Sequence, residues 1–181
     1  MVLLESNPFR DQQYPDFSLE TADQRRFSLT GLMKSNGAVL VFTCNHCPYA
    51  LAIWERLVNL YTTLKSLDIE CIAINPNFHP DYPEDSAENM LKLIQQFQIP
   101  FPYLCDQDQS VAKAYGAVCT PDIFYLNQNR ELIYHGRLDD NWKNPQAVST
   151  EELLVAIQRY VQTQQITHPQ HPSMGCSIKW Q

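Results

Sequence analysis

The sequence predicts an α/β fold in which a central mixed β-sheet is flanked by helices. An apolar, β-branched stretch at residues 39–42 predicts a buried strand, and residues 49–67 follow it with apolar residues at helical spacing. A second buried strand is predicted at residues 69–74. Strand, helix and strand at this spacing form a βαβ unit with parallel strands and a right-handed crossover. Two later β-rich stretches, at residues 123–126 and 131–134, predict an antiparallel hairpin.

The segments before and between these elements are assigned in chain order. Residues 1–30 are interpreted as an N-terminal extension that ends in a short antiparallel β pair. Residues 75–84 hold three prolines, so they are predicted to be a loop inserted after the second core strand. Asp85, followed three positions later by Glu88, resembles a capping box that begins the next helix.

Two more helices and a tail complete the chain. Asp108 is expected to cap a short helix that Gly116 ends, and residues 149–152 form a second capping box for the final helix. Residues 162–181 are polar and carry prolines, which predicts an extended C-terminal tail. Nothing in 181 residues demands a second core, so one domain is expected over residues 1–181.

Composition narrows the classes of partner. The net charge is −7, and no run of Lys or Arg is present, which argues against nucleic acid and anionic membrane. No stretch approaches a membrane span, and residues 1–5 lack the cationic start of a signal peptide, so a cytoplasmic location is expected. With five glycines and no phosphate-binding loop, no organic cofactor is expected.

The chemistry is concentrated in Cys44-Asn45-His46-Cys47, where the first core strand passes into a helix. Unpaired N–H groups and the positive end of the helix dipole favour a thiolate there, which predicts a low pKa for Cys44. Cys47 lies one turn later and can attack a mixed disulfide formed on Cys44. His46 is either a cation that lowers the pKa of Cys44 or an exposed side chain.

The other four cysteines differ in their surroundings. Cys71 and Cys105 lie in apolar strand contexts, where a thiol packs as a small hydrophobe. Cys119 lies two residues before Pro121. It either packs in the core or acts as an accessory residue of the site. Cys176 follows a glycine in the tail, so it either reaches the motif as a third thiol or merely packs.

Together, the segments 43–49, 115–124 and 135–141 resemble the thioredoxin-like superfamily, most closely its redoxin or peroxiredoxin-like group with a Cys-x-x-Cys motif. The resemblance extends over residues 15–180 and implies the thioredoxin fold. It also implies that Cys44 is the attacking thiolate and that Cys47 resolves the mixed disulfide.

The same resemblance assigns the residues around the thiols. It implies that Pro121 is the cis proline beside the disulfide and that Thr120, just before it, offers its backbone to an extended substrate. Thr43 is expected on the substrate side, where ordinary thioredoxins carry Trp. Arg137 is a candidate counterpart of the peroxiredoxin arginine, or else a surface residue paired with Asp139 or Asp140.

The sequence departs from ordinary thioredoxins in one chemical respect. Residues 38–43 contain no carboxylate, so proton transfer is expected to use His46 or water. The predicted function is thiol–disulfide exchange with a protein or small-molecule substrate and an unidentified electron donor. Two alternatives are a peroxiredoxin-like thiol peroxidase and a zinc- or copper-binding protein. The metal site would use the same cysteine pair with His46 and the tail histidines His168 and His171.

Overall fold

The computed structural model describes residues 13–167 and 169–181. Within them the strands are β1 (Ser18–Thr21), β2 (Arg26–Ser28), β3 (Ala38–Phe42), β4 (Glu70–Asn75), β5 (Tyr103–Cys105), β6 (Cys119–Thr120), β7 (Asp122–Leu126), β8 (Leu132–Gly136) and β9 (Cys176–Ser177). The helices are α1 (Leu29–Leu32), α2 (Pro48–Leu51), α3 (Trp54–Ser66), α4 (Ala87–Phe97), α5 (Ser110–Tyr115) and α6 (Glu152–Thr163).

Seven strands form the central sheet, in the order β2-β1-β5-β4-β3-β7-β8. Strands β3, β4 and β5 are parallel, whereas β7 pairs with β3 and β8 in antiparallel fashion. The predicted mixed sheet, its βαβ unit and the hairpin are therefore confirmed. Strands β6 and β9 form a separate antiparallel pair.

Strand β3 is buried on both faces of the sheet, which explains why its sequence is continuously apolar. Alternate side chains point to opposite faces. Val39 and Val41 pack in the core that is covered by α3, α4 and α6. Ala38, Leu40 and Phe42 pack in the core that is covered by α1 and α5. The end of β3 is thereby fixed between two cores, and the Cys-x-x-Cys motif follows directly.

The helix boundaries correct three predictions. The helix expected over residues 49–67 is divided into α2 and α3. The N-cap of α4 is Ser86 rather than Asp85, which ends a 3₁₀ turn instead. The capping box at residues 149–152 is not formed, because the Ser149 backbone N–H and hydroxyl donate to Asp140.

The short helix α5 is capped differently from the prediction. Its N-cap is Gln109, and no side chain caps the helix from that position. Asp108 accepts a hydrogen bond from the Ser110 N–H, while the buried Asp106 accepts from Val111 and Ala112. Gly116 ends the helix with a positive φ of 71°, as predicted.

The longest helix, α3, has 13 residues. None of the helices in the described part of the chain is both long and apolar enough to cross a membrane.

We expect Leu40→Ala to lower the free energy of unfolding by about 2–5 kcal/mol, because it leaves a cavity at the centre of β3. Leu91→Ala is the matched control: the same atoms are removed from a helix position that is 39% exposed. Its effect should stay within about 0.5 kcal/mol. Urea unfolding followed by circular dichroism measures both, and equal losses would contradict the assignment of the core.

Candidate active site

The Cys-x-x-Cys motif lies where β3 ends and α2 begins. The Thr43 N–H donates to the Ile74 carbonyl at 2.8 Å, which continues the pairing of β3 with β4 beyond Phe42. Cys47 is the N-cap of α2, and Pro48 occupies the first helical turn, where its missing N–H costs no hydrogen bond. The strand-to-helix junction predicted from the sequence therefore places both cysteines at one edge of the sheet.

Thr120 contacts both thiols. Its hydroxyl lies 3.2 Å from Cys44 Sγ, and its carbonyl oxygen lies 3.1 Å from Cys47 Sγ, from which it accepts a hydrogen bond when Cys47 is a thiol. The peptide bond between Thr120 and Pro121 is cis, as the resemblance implies. Cys44 and Cys47 are both thiols and both 0% exposed, so the site is closed to solvent.

The tail supplies a third sulfur. Strand β9 pairs with β6 so that Cys176 lies opposite Thr120. Cys47 Sγ is 2.9 Å from Cys176 Sγ. Of the two interpretations left open for Cys176, the one in which it reaches the motif describes this structure.

A buried carboxylate lies beside the motif. It belongs to Asp85, which the sequence predicts to be a helix cap. Asp85 is 0% exposed and accepts hydrogen bonds from the Asn45 N–H and from His46 Nδ1, both at 2.7 Å. Its own carbonyl accepts from the Asn75 side chain at 3.0 Å. The sequence could have indicated this position of Asp85. Strands β3 and β4 are parallel and end at the same edge of the sheet, so a carboxylate in the loop after β4 can reach the motif that follows β3.

The contacts in this geometry shift the pKa values of the two thiols in opposite directions and favour Cys47 as the thiolate. Hydrogen bonds from Cys44, Cys176 and the Ala50 N–H lower the pKa of Cys47 to about 5, although burial opposes this. The hydrogen bond to Cys47, burial and the charge of Asp85 raise the pKa of Cys44 well above its usual range. The predicted low pKa of Cys44 is therefore wrong.

His46 is hydrogen-bonded to Asp85 beside Cys44. Its hydrogen bond with Asp85 raises the pKa of His46, which favours an imidazolium paired with a carboxylate. The Tyr82 ring stacks on the imidazole, with the ring centroids 5.6 Å apart. His46 therefore offsets the charge of Asp85, and its ligand nitrogen also lies within 4.8 Å of Cys44 Sγ.

The two other residues predicted to be accessory to the site, Arg137 and Cys119, have partners outside the pair of thiols. Arg137 donates to both oxygens of Glu152, at 2.7 and 2.8 Å, and not to Asp139 or Asp140 as the surface alternative proposed. Cys119 is buried on β6, and its Sγ lies 3.7 Å from the Pro121 carbonyl.

Cys71 and Cys105, predicted as core residues, are buried in β4 and β5. The metal ligands proposed from the tail are not brought together. His171 contacts Glu152 at 2.9 Å, and His168 lies outside the described residues. The structure instead clusters Cys44, His46 and Asp85, whose ligand atoms all lie within 4.8 Å of one another. This set offers one soft donor, one imidazole and one carboxylate, a combination that suits zinc.

We expect a single thiolate to appear near pH 5 when the absorbance of the reduced protein at 240 nm is followed against pH. Cys47→Ala should remove that step, since burial and Asp85 keep Cys44 protonated. Cys44→Ala should move it upward by removing a hydrogen-bond donor. Because the folded-state pKa is depressed, ionisation adds stability that is complete above the ordinary thiol pKa and is lost as the pH falls through about 5. A step near pH 5 that persists in Cys47→Ala would place the charge on Cys44.

The chain is similar to several known proteins in sequence and in fold. Thiol-disulfide oxidoreductase ResA of Bacillus subtilis (strain 168) is 25% identical over 119 residues, which are 66% of this chain and 62% of ResA. An uncharacterized conserved protein from Geobacillus kaustophilus has a crystal structure with a TM-score of 0.93 and 38% identity, covering 100% of this chain and 97% of that one. The hypothetical protein SMc02350 from Sinorhizobium meliloti 1021 gives a TM-score of 0.90 and 34% identity, over 98% of each chain.

The match to ResA spans less than two thirds of that protein, whereas both structures match over nearly their full length. The AhpC/TSA family matches residues 11–135, which is more than half of the chain. The chain therefore belongs to the AhpC/TSA family, within the thioredoxin-like redoxin group.

Proposed function

We propose that this protein is a thiol–disulfide oxidoreductase that works through Cys44 and Cys47. The observation that carries the proposal is the contact of both thiols with Thr120, the residue before the cis proline. The similarity to ResA, whose name states this activity, supports the same reaction class.

The charge on the pair suggests an order of events. A thiolate at Cys47 attacks a substrate disulfide, forms a mixed disulfide and releases one substrate thiolate. Cys44 then loses its proton and attacks Cys47, which releases the second substrate thiolate. The pair is oxidised by two electrons, and the substrate is reduced by two. The reverse sequence oxidises a dithiol substrate.

This order exchanges the roles that the resemblance implies for the two cysteines. It gives Asp85 and His46 a task, because they lie next to the thiol that must lose a proton. Asp85 would supply the buried carboxylate that β3 lacks. Proton transfer from Cys44 would then pass through the Asp85–His46 pair.

We expect the Cys44/Cys47 couple to have a reduction potential between about −270 and −120 mV. These are the potentials of thioredoxin and DsbA, whose reactive thiols have pKa values of about 7 and 3.5. A thiol pKa of about 5 lies between them, and stabilising the thiolate stabilises the reduced form. Equilibration with glutathione or dithiothreitol buffers, followed by thiol quantification, gives the potential.

The control is Cys105→Ala, which removes a buried thiol outside the motif and should leave the potential unchanged. Failure to form a Cys44–Cys47 disulfide at any potential would refute the proposal. Oxidation by hydrogen peroxide at a much higher rate than by disulfides would favour the thiol peroxidase instead. The engagement of Arg137 by Glu152 argues against that outcome.

A metal site is the second candidate, and the cluster of Cys44, His46 and Asp85 favours it. If the cluster holds zinc, the reduced protein should bind one equivalent tightly, as measured by competition with a chromophoric chelator. Asp85→Asn should weaken that binding by tenfold or more, because it removes a charged ligand. Glu84→Gln, which changes the neighbouring carboxylate, is the matched control. A reduced protein that leaves all zinc with the chelator would eliminate this candidate.

A further inference from the structure

Strand β9 lies along the backbone at Thr120, which the resemblance to the thioredoxin-like superfamily implies is where an extended substrate binds. Strand β9 pairs in antiparallel fashion with β6, and the Ile178 N–H donates to the Val118 carbonyl at 2.9 Å. Gly175 passes so close that a Cβ there would lie 2.2 Å from the Thr120 carbonyl oxygen. The backbone edge beside the cis proline is therefore already used by the chain's own tail.

The tail also brings a sulfur to the reactive pair. Cys176 Sγ lies 2.9 Å from Cys47 Sγ, and the Cys176 N–H also donates to that sulfur. Burial, together with the hydrogen bond to Cys47, raises the pKa of Cys176 to about 12, which keeps it a thiol while Cys47 is a thiolate. Cys176 thus lies against Cys47 as the reduced cysteine of a substrate would after thiol–disulfide exchange with a Cys47 thiolate.

Contacts on both sides of β9 hold it there. Upstream, the Ser173 hydroxyl donates to the Gly136 carbonyl at 2.5 Å. Downstream, Ile178 is 3% exposed within a core, and the Lys179 N–H donates to the Asn77 side chain at 3.0 Å. The position of Cys176 is thus fixed by the fold rather than by the sulfur contact alone.

We propose that the tail is an internal substrate and that Cys176 is a third redox cysteine, which takes over the disulfide by bonding to Cys47. This rests on the proposed function, which supplies the oxidised Cys44–Cys47 pair. Cys176 loses its proton and attacks Cys47 Sγ. The Cys47–Cys176 bond forms, the Cys44–Cys47 bond breaks, and Cys44 leaves as a thiolate that takes up a proton. No electrons are gained or lost in this step.

The seated tail also closes the site to solvent. With β9 in place neither Cys44 nor Cys47 is exposed, so a protein substrate must displace the tail before its own disulfide reaches Cys47. The Cys47–Cys176 bond would fix the tail covalently in the oxidised protein, and its reduction would leave the tail held by the non-covalent contacts of β9.

The test uses the Cys44→Ala variant of the 181-residue chain, which leaves Cys47 and Cys176 as neighbours. Oxidised glutathione converts Cys47 to a mixed disulfide, and Cys176 should then displace glutathione to give a Cys47–Cys176 bridge. Peptide mapping by mass spectrometry after alkylation should show this bridge in most molecules. The matched control is Cys44→Ala/Cys176→Ala, in which the glutathione adduct on Cys47 should persist. An adduct that persists equally in both variants overturns the proposal.

Mapping the disulfides of oxidised wild-type protein tests this inference and the proposed function separately. Oxidised wild type should contain both Cys44–Cys47 and Cys47–Cys176 bridges, and this readout also serves if Cys44→Ala does not fold. A Cys44–Cys47 bridge alone, with Cys176 always alkylated, overturns the inference and leaves the proposed function intact. Bridges that never include Cys44 overturn the proposed function.

Discussion

Thr120 holds the two thiols and the tail at one point. Its hydroxyl contacts Cys44, its carbonyl oxygen contacts Cys47, and its strand pairs with the strand that carries Cys176. After the following proline the chain enters β7, which is paired with β3 along its length. Because β3 ends at the motif, the sheet fixes both sides of the sulfur cluster at once.

Much of the fold could be predicted because its signals are local. The apolar stretch of β3, the amphipathic pattern after it and the hairpin are each read within a dozen residues. The position of the motif follows from the same patterns. Helix starts were predicted less well, because Asp85 and Ser149 each have a partner outside the expected cap. In α5, Asp106 accepts from the N–H groups of Val111 and Ala112, and Asp108 accepts only from that of Ser110. A capping residue and a residue of a polar network look the same in sequence.

The charge on the site could not be predicted in that way. The sequence places Cys44 ahead of a helix, which favours a thiolate, but α2 is a single turn and Cys47 is its N-cap. The groups that decide the outcome come from far along the chain. Asp85 approaches Cys44 from the loop after β4, and Cys176 approaches Cys47 from the tail. Only the tertiary structure brings together the groups that raise the pKa of Cys44 and lower that of Cys47, three positions further on.

Seating of the tail and ionisation of Cys47 are therefore linked. The Cys176 thiol and N–H donate to the sulfur, and hydrogen bonds to an ionised acceptor are stronger than bonds to a neutral one. By reciprocity, a tail that lowers the pKa of Cys47 must itself bind more tightly when Cys47 is a thiolate. A disulfide between Cys44 and Cys47 removes that negative charge and with it the added attraction. Either the tail then loosens and admits a substrate, or Cys176 restores the contact by forming a covalent bond. The same strand pairing thus supports both a closed reduced site and a route by which its oxidation is passed to the tail.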